Sequence, residues 1–231
     1  MSRTRRIVVP GAPHHVYLRG NNRRRLFSSL ADRLHFVRCL ERGLEITACQ
    51  LHQLTLMSNH VHLVSTPPDP LALSRLVHRV GQRYAQQRNA NRHASGKLFE
   101  ERFHSKVITD DQQLMATTLY NDANAFRAGM VGDPLGHAWS TGPLHAATGA
   151  SRVPRSLWTP SGWYLALGTT PEARGDRYRA IMASYTGQAH APPSSAALDR
   201  ERHDDEPYRY RVERPDRSSA REAATRWPEK G

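Results

Sequence analysis

The chain has 231 residues, with 33 Lys and Arg against 21 Asp and Glu, a formal net charge of +12 and only two cysteines. That length holds one sizeable domain plus an appendage. No apolar run approaches the roughly 18 residues a membrane helix needs, and Cys39 and Cys49 are too few for a disulfide framework or a cysteine-based zinc site. The N-terminal MSRTRRIVVPG is basic but lacks the long apolar stretch of a secretory leader, so the chain reads as soluble and cytoplasmic, with both cysteines as small buried hydrophobes. Residues 14–20, HHVYLRG, form a short strand-like segment, and 21–27 a basic loop. Over 31–44, Leu34, Phe36, Val37, Leu40 and Leu44 recur at helical spacing, with Asp32 near the start and Gly43 near the end. Residues 46–57 alternate like a strand, with Cys49, Leu51, Gln53, Thr55 and Met57 on one face and His52, Leu54 and Leu56 on the other. Ser58 and Asn59 signal a turn, 60–66 a further strand, and PPDP at 67–70 a break.

Residues 71–90 predict a second amphipathic helix, with Leu73, Leu76, Val77, Val80 and Tyr84 on one stripe. A basic loop then leads into a short strand at 105–109. A third helix is expected over 110–126, with Leu114, Thr118 and Leu119 turned inward. The first six elements, β-α-β-β-α-β, match a ferredoxin-like, split βαβ arrangement: an α+β fold with an antiparallel sheet and helices packed on it. Three regions are expected: a domain over 1–145, a helical extension over 146–189 and a disordered tail over 190–231, rich in Pro, Ser, Ala and alternating charge. Within the extension, 169–185 reads as a last helix with Thr170 as cap and Pro171 at its first position.

Two histidines stand two residues apart in MSNHVHLVS. On a strand, His60 and His62 project from one face, about 6–7 Å apart along the chain direction. Two imidazoles so placed converge on a metal ion, or serve as structural side chains; the spacing alone allows both. On the third helix Tyr120 and Asn124 lie one turn apart on a shared face. Asn124 brings a carbonyl oxygen suited to a hard cation, and Tyr120 a phenol; taken alone, a packing Tyr and a helix-end Asn beside an Arg are the more ordinary reading.

Four segments in order, GAPHHVYLRGNNRRRLF, LMSNHVHLV, GKLFEERFHS and YNDANAFRAGMV followed by HAWST, resemble the IS200-like transposases, and within them the REP-associated tyrosine transposases of the HUH single-strand nuclease superfamily. The resemblance runs over residues 9–141. It implies that His60 and His62 are metal ligands, that Tyr120 is the nucleophile and that Asn124 completes the metal site, with Mg²⁺ or Mn²⁺ as the cofactor. It also implies a reaction: cleavage and rejoining of single-stranded, hairpin-bearing, REP-like DNA through a 5′-phosphotyrosine. Imidazole ligands lean towards Mn²⁺ on their own chemistry and leave zinc open. Where the family reads Asn-Pro-Val-Arg-Ala, this chain has Asn124-Ala125-Phe126-Arg127-Ala128, so without the proline the helix is expected to run on. Where it reads Trp-Ser-Ser, this chain has Trp139-Ser140-Thr141.

The charge balance fits a nucleic-acid partner, or an arginine-rich proteome. Lysine occurs only at Lys97, Lys106 and Lys230, and arginine forks match phosphate bidentately. The resemblance favours DNA contact by Arg19, Asn21, Arg23, Arg24, Arg25, Arg102, His104, Lys106 and Arg127. Arg75, Arg79 and Arg83 form a basic helix edge or a solvated face. Phe99 and Phe103 suit base stacking or core packing; His14, His15 and His104 suit structural or DNA-side roles. A monomer is favoured over a dimer, with a cytoplasmic, nucleoid-associated location and no membrane partner. Two other readings compete: a catalytically inactive, domesticated DNA-binding protein of the same fold, and a zinc hydrolase using the two histidines and a distant carboxylate.

Overall fold

The computed structural model describes residues 7–100 and 102–188; the tail expected at 190–231 lies outside the described residues. In chain order come β1 (His14–Arg19), α1 (Leu30–Thr47), β2 (Gln50–Leu56), β3 (His60–Thr66), α2 (Ala72–Asn91), β4 (His104–Val107) and α3 (Asp111–Asp122). The strands form one antiparallel sheet ordered β2-β3-β1-β4. This is the ferredoxin-like α+β arrangement expected from the element order.

A capping box starts α1: the Asp32 amide donates to the Ser29 hydroxyl, and the Ser29 amide donates to the Asp32 carboxylate. The helix runs past the expected end and stops where Ala48 turns left-handed at φ 53°. Gly43 does not end it. A Cβ at Gly43 would lie 2.8 Å from Leu76 and 2.9 Å from Val80, so this glycine lets α1 and α2 approach closely. Phe36, Val37, Leu40 and Leu44 are buried as expected, whereas Leu34 is exposed. Both helices cover one face of the sheet, where Val16, Leu18, Leu54, Leu56, Val61 and Leu63 complete the main core. Cys39 and Cys49 are buried and free.

The expected faces of β2 need one correction. A bulge between Leu51 and Gln53 shifts the register against β3, since an extra residue flips side-chain parity. Leu51 therefore joins Leu54 and Leu56 in the main core. His52 turns aside, its ring nitrogens 2.8 Å from the Thr159 carbonyl and 2.8 Å from the Thr66 hydroxyl.

Beyond α3 lie α4 (Asn124–Arg127), α5 (Gly142–His145), α6 (Gly162–Leu165) and α7 (Pro171–Gln188). The Thr170 hydroxyl accepts from the Ala173 amide at the start of α7. Leu56 N donates to Trp139 O, Thr141 N to Leu54 O and Thr159 N to Leu51 O, at 2.9, 2.9 and 2.7 Å. Segments 139–141 and 158–159 thus cover the outer edge of β2, which would otherwise present unpaired backbone groups. A second core joins Val64, Leu114 and Leu119 to Trp163, Tyr164, Tyr178 and Met182, so residues on both sides of 145 pack together.

At the junction sits Asp122, fully buried. One carboxylate oxygen accepts from Gln53 Nε2 and Ser140 Oγ, both at 3.0 Å. The other accepts from His145 Nδ1 at 2.7 Å and from the Tyr178 hydroxyl at 2.8 Å. The donors come from β2, the 139–141 segment, α5 and α7, so one carboxylate ties α3 to the sheet and to the C-terminal helices. Among the described residues, no helix is long and apolar enough to cross a membrane.

The approach of α7 to α5 depends on Gly175. A Cβ there would lie 2.7 Å from the Ala146 carbonyl oxygen and 2.7 Å from Ala147 Cβ, and backbone yields less easily than a side-chain tip. Gly175→Ala is expected to cost about 1–3 kcal/mol, read as an earlier urea midpoint at unchanged slope. A wild-type midpoint would contradict this packing.

Candidate active site

The face of the sheet away from α1 and α2 is lined by polar side chains. His60 and His62 project onto it from β3, because Val61 and Leu63 take the core face. Their rings lie 4.9 Å apart, edge to face. Strand β1 runs alongside in the register Tyr17↔His62 and Arg19↔His60. The Tyr17 ring packs 4.9 Å from His62 and 5.3 Å from His60. His15 stacks on His62 at 5.2 Å, its Nε2 3.0 Å from His62 Nδ1.

Helix α3 brings the other two residues. Asp110 caps its start by accepting from the Gln113 amide. The helix expected over 110–126 is instead interrupted at Ala123, and a short turn of helix, α4, follows over Asn124–Arg127. Met130 N then donates to Ala125 O and Gly129 N to Phe126 O, with Gly129 left-handed at φ 66°, a glycine-closed helix end. Asn124 lies at the break, its amide nitrogen 3.1 Å from His62 Nε2. The Tyr120 ring is buried 6.4 Å from His62, edge to face, with the Arg127 guanidinium 5.2 Å over it. Gln53 Nε2 bonds Thr55 and Asp122, the Asn121 amide donates to Gln53 Oε1, and the Thr55 hydroxyl donates to the Asn121 carbonyl. The structure therefore brings His60, Tyr120 and Asn124 around His62 in one buried cluster on one side of the sheet.

Burial keeps these imidazoles uncharged. His60 is lowered to about 3, by burial first and by the Arg19 charge second. His62 lies well below its ordinary value through burial, His60 and His15. His15 is lowered to about 4 by burial and Lys106. His60 Nδ1 is 2.7 Å from the Asn59 side-chain oxygen Oδ1, so that nitrogen carries the proton and the lone pair lies on Nε2. Two neutral imidazoles with oriented second nitrogens, beside a side-chain amide, form a donor set that fits a divalent cation. Among the described residues no group of three His, Cys, Asp or Glu offers a competing metal site.

The basic residues expected to touch DNA fall into three groups. Arg19 ends β1 and pairs with Glu100 at 2.8 Å. Asn21, Arg23, Arg24 and Arg25 follow in an exposed or half-buried loop that passes through two left-handed residues, Asn22 (φ 52°) and Arg23 (φ 55°). That loop is held against the turn before His60: Gly20 N donates to Asn59 O and Leu26 N to Ser58 O. Arg102, His104 and Lys106 are exposed on or beside the edge strand β4. Arg127 is exposed beside Tyr120. By contrast Arg75, on α2 behind the opposite face, pairs with Asp69 in the turn before that helix. Phe99 and Phe103 pack against the main core. His14 bonds the Ala12 carbonyl and accepts from Val9 N, a structural role.

Three neighbours of the pocket were not singled out by sequence for this place. Tyr17 and His15 share a face by the period of two from Arg19, a signal present but ambiguous. Asp122 gives no such signal, since its partners are scattered from 53 to 178.

The profile of the family described as "Transposase IS200 like" matches residues 9–120, from just before β1 to Tyr120. No curated protein matches the chain in sequence. Among solved structures, a REP-associated tyrosine transposase bound to a REP hairpin aligns with a TM-score of 0.56 and 16% identity, over 70% of this chain and 93% of that one. A candidate transposase from Deinococcus radiodurans R1 aligns at 18% identity over 50% of this chain and 92% of that one, with a TM-score of 0.36. Residues 9–120 thus match the IS200-like transposase family model, on a fold shared with the first of these structures.

Proposed function

We propose that this transposase cleaves and rejoins single-stranded, hairpin-bearing, REP-like DNA through a covalent 5′-phosphotyrosine on Tyr120. The observation that carries this reading is the meeting of the Tyr120 ring with His62 at 6.4 Å and of Asn124 with the same imidazole at 3.1 Å. The REP hairpin bound to the structural neighbour supports the choice of DNA.

His60, His62 and Asn124 would hold Mn²⁺ or Mg²⁺, with Mn²⁺ suiting imidazole better. A cation there would supply Lewis acidity to the scissile phosphate and help orient it. The Tyr120 oxygen attacks phosphorus as its proton leaves, and the departing 3′ oxygen takes a proton up. A second 3′-hydroxyl then reverses the exchange. A phenol, with a reference pKa of about 10, leaves more readily than an alkoxide, so the ester conserves bond energy without ATP. Arg127 stacks on the ring from the exposed side and offers a cation to the phosphate. Arg19, Asn21 and Arg23–Arg25 would bind the strand near His60, with Arg102, His104 and Lys106 along the β4 edge.

Within this reading, residues 1–145 supply the chemistry and 146–188 brace it. Tyr178 bonding Asp122 within the chain supports a monomer completing its own site. Such a reaction belongs at the nucleoid, in the cytoplasm.

A denaturing gel tests the reading. With Mn²⁺ and a hairpin-bearing single strand, a protein–DNA adduct is expected that survives denaturation and disappears in Tyr120→Phe. DNA binding without any adduct would favour the inactive, domesticated protein; cleavage that persists in Tyr120→Phe would favour a hydrolase.

The buried imidazoles also make folding proton-linked. His14 and His15 are lowered from 6.5 to about 4 and His60 to about 3, burial being the largest cause for each. Protons therefore favour the unfolded chain, and this stability is present above pH 6.5 and lost as the pH falls to about 4 for His14 and His15 and to about 3 for His60. In EDTA the thermal midpoint should fall across that window, with a shallower fall in His14→Gln. A flat profile would show that these imidazoles are not buried as described.

A further inference from the structure

We propose that His15 is a positioning residue: its Nε2 accepts a hydrogen bond from His62 Nδ1–H and so keeps the His62 lone pair on Nε2, towards Asn124. The proposal rests on the reading of His60, His62 and Asn124 as metal ligands, and adds a residue that is not itself a ligand.

His62 has two edges, and both are engaged. Nδ1 lies 3.0 Å from His15 Nε2, and Nε2 lies 3.1 Å from the Asn124 amide nitrogen. A neutral imidazole carries one proton, so its two neighbours must agree on where it sits. An amide N–H donates, which requires the lone pair on His62 Nε2. The proton is then on Nδ1, and His15 Nε2 must accept it. The opposite tautomer would put the proton on the edge facing Asn124 and the lone pair on the edge facing His15, unusable by a cation between His60 and Asn124.

The geometry of β1 suits this role. His15 pairs with Val64 on β3 and Lys106 on β4, two residues along the strand from Tyr17, the cross-strand partner of His62. It reaches His62 diagonally and stacks nearly parallel, at 16° and 5.2 Å. His15 is only 5% exposed, so water does not replace this contact. His60 has the same device in another form, with the Asn59 side-chain oxygen Oδ1 on its Nδ1. Both β3 histidines thus have their second nitrogen held, as metal-binding imidazoles generally do.

The tautomer is read directly by long-range ¹H–¹⁵N correlation on metal-free wild-type chain with labelled histidine. The expected result is a protonated Nδ1 and bare Nε2 on His62, with a bare Nε2 on His15. Mn²⁺ titration of the DNA-free protein, followed by electron paramagnetic resonance, then separates positioning from packing. His15→Met, which fills the space without accepting, should bind Mn²⁺ about 10–100-fold more weakly. His15→Gln, whose side-chain carbonyl can accept, should recover most of the loss. A protonated Nε2 on wild-type His62, wild-type affinity in His15→Met, or equal losses in both variants would overturn the proposal. A wild-type chain that binds no Mn²⁺ would instead overturn the ligand reading beneath it.

Discussion

Asp122 accepts hydrogen bonds from β2, the 139–141 segment, α5 and α7, and the setting of α3 follows from them. A buried carboxylate without partners would cost several kcal/mol, so the helix is stable only where all four donors meet it. Asp122 lies about 200° around the helix from Tyr120, while Asn124 lies within about 40° of it. Fixing Asp122 towards β2 and the C-terminal helices therefore turns Tyr120 and Asn124 towards β3. Gln53 and Thr55 add a second restraint by bonding Asn121. The residues proposed for chemistry are held in phase by residues that take no part in it.

The same arrangement explains why this face of the sheet tolerates so many polar side chains. Each imidazole is neutral through burial, and each is bonded to a neighbour of fixed type. The cationic residues stand around the pocket rather than inside it: Arg19 at the end of β1, the 21–25 loop beside the Asn59 turn, and Arg127 over Tyr120. A neutral, buried floor inside a cationic rim suits an anionic ligand, whose charge is met at the edge while the ring lone pairs stay unprotonated.

Much of this was legible in the sequence, for reasons of period. Four strands and three helices follow from apolar spacing, and the His60–His62 and Tyr120–Asn124 pairs follow from the periods of two and 3.6. The bulge at His52 was not legible, because one inserted residue changes parity without changing composition. Gly43 looked like a helix stop because its close contact with Leu76 and Val80 belongs to the packed state. The Asp122 cluster was hidden for a related reason: Gln53, Ser140, His145 and Tyr178 meet only once the chain has folded around α3. His15 was visible as a residue but not as a partner of His62, since that contact is diagonal across two strands.

The central claim is that His60, His62 and Asn124 form one cation site within reach of Tyr120. Crystals grown with Mn²⁺, measured for anomalous scattering, address it most directly. A peak bonded to His60 and His62, with the Asn124 side chain and the Tyr120 hydroxyl facing the same ion, is the predicted result. Absence of a peak between those imidazoles at saturating Mn²⁺, or Mn²⁺ held elsewhere on the chain, would contradict the account.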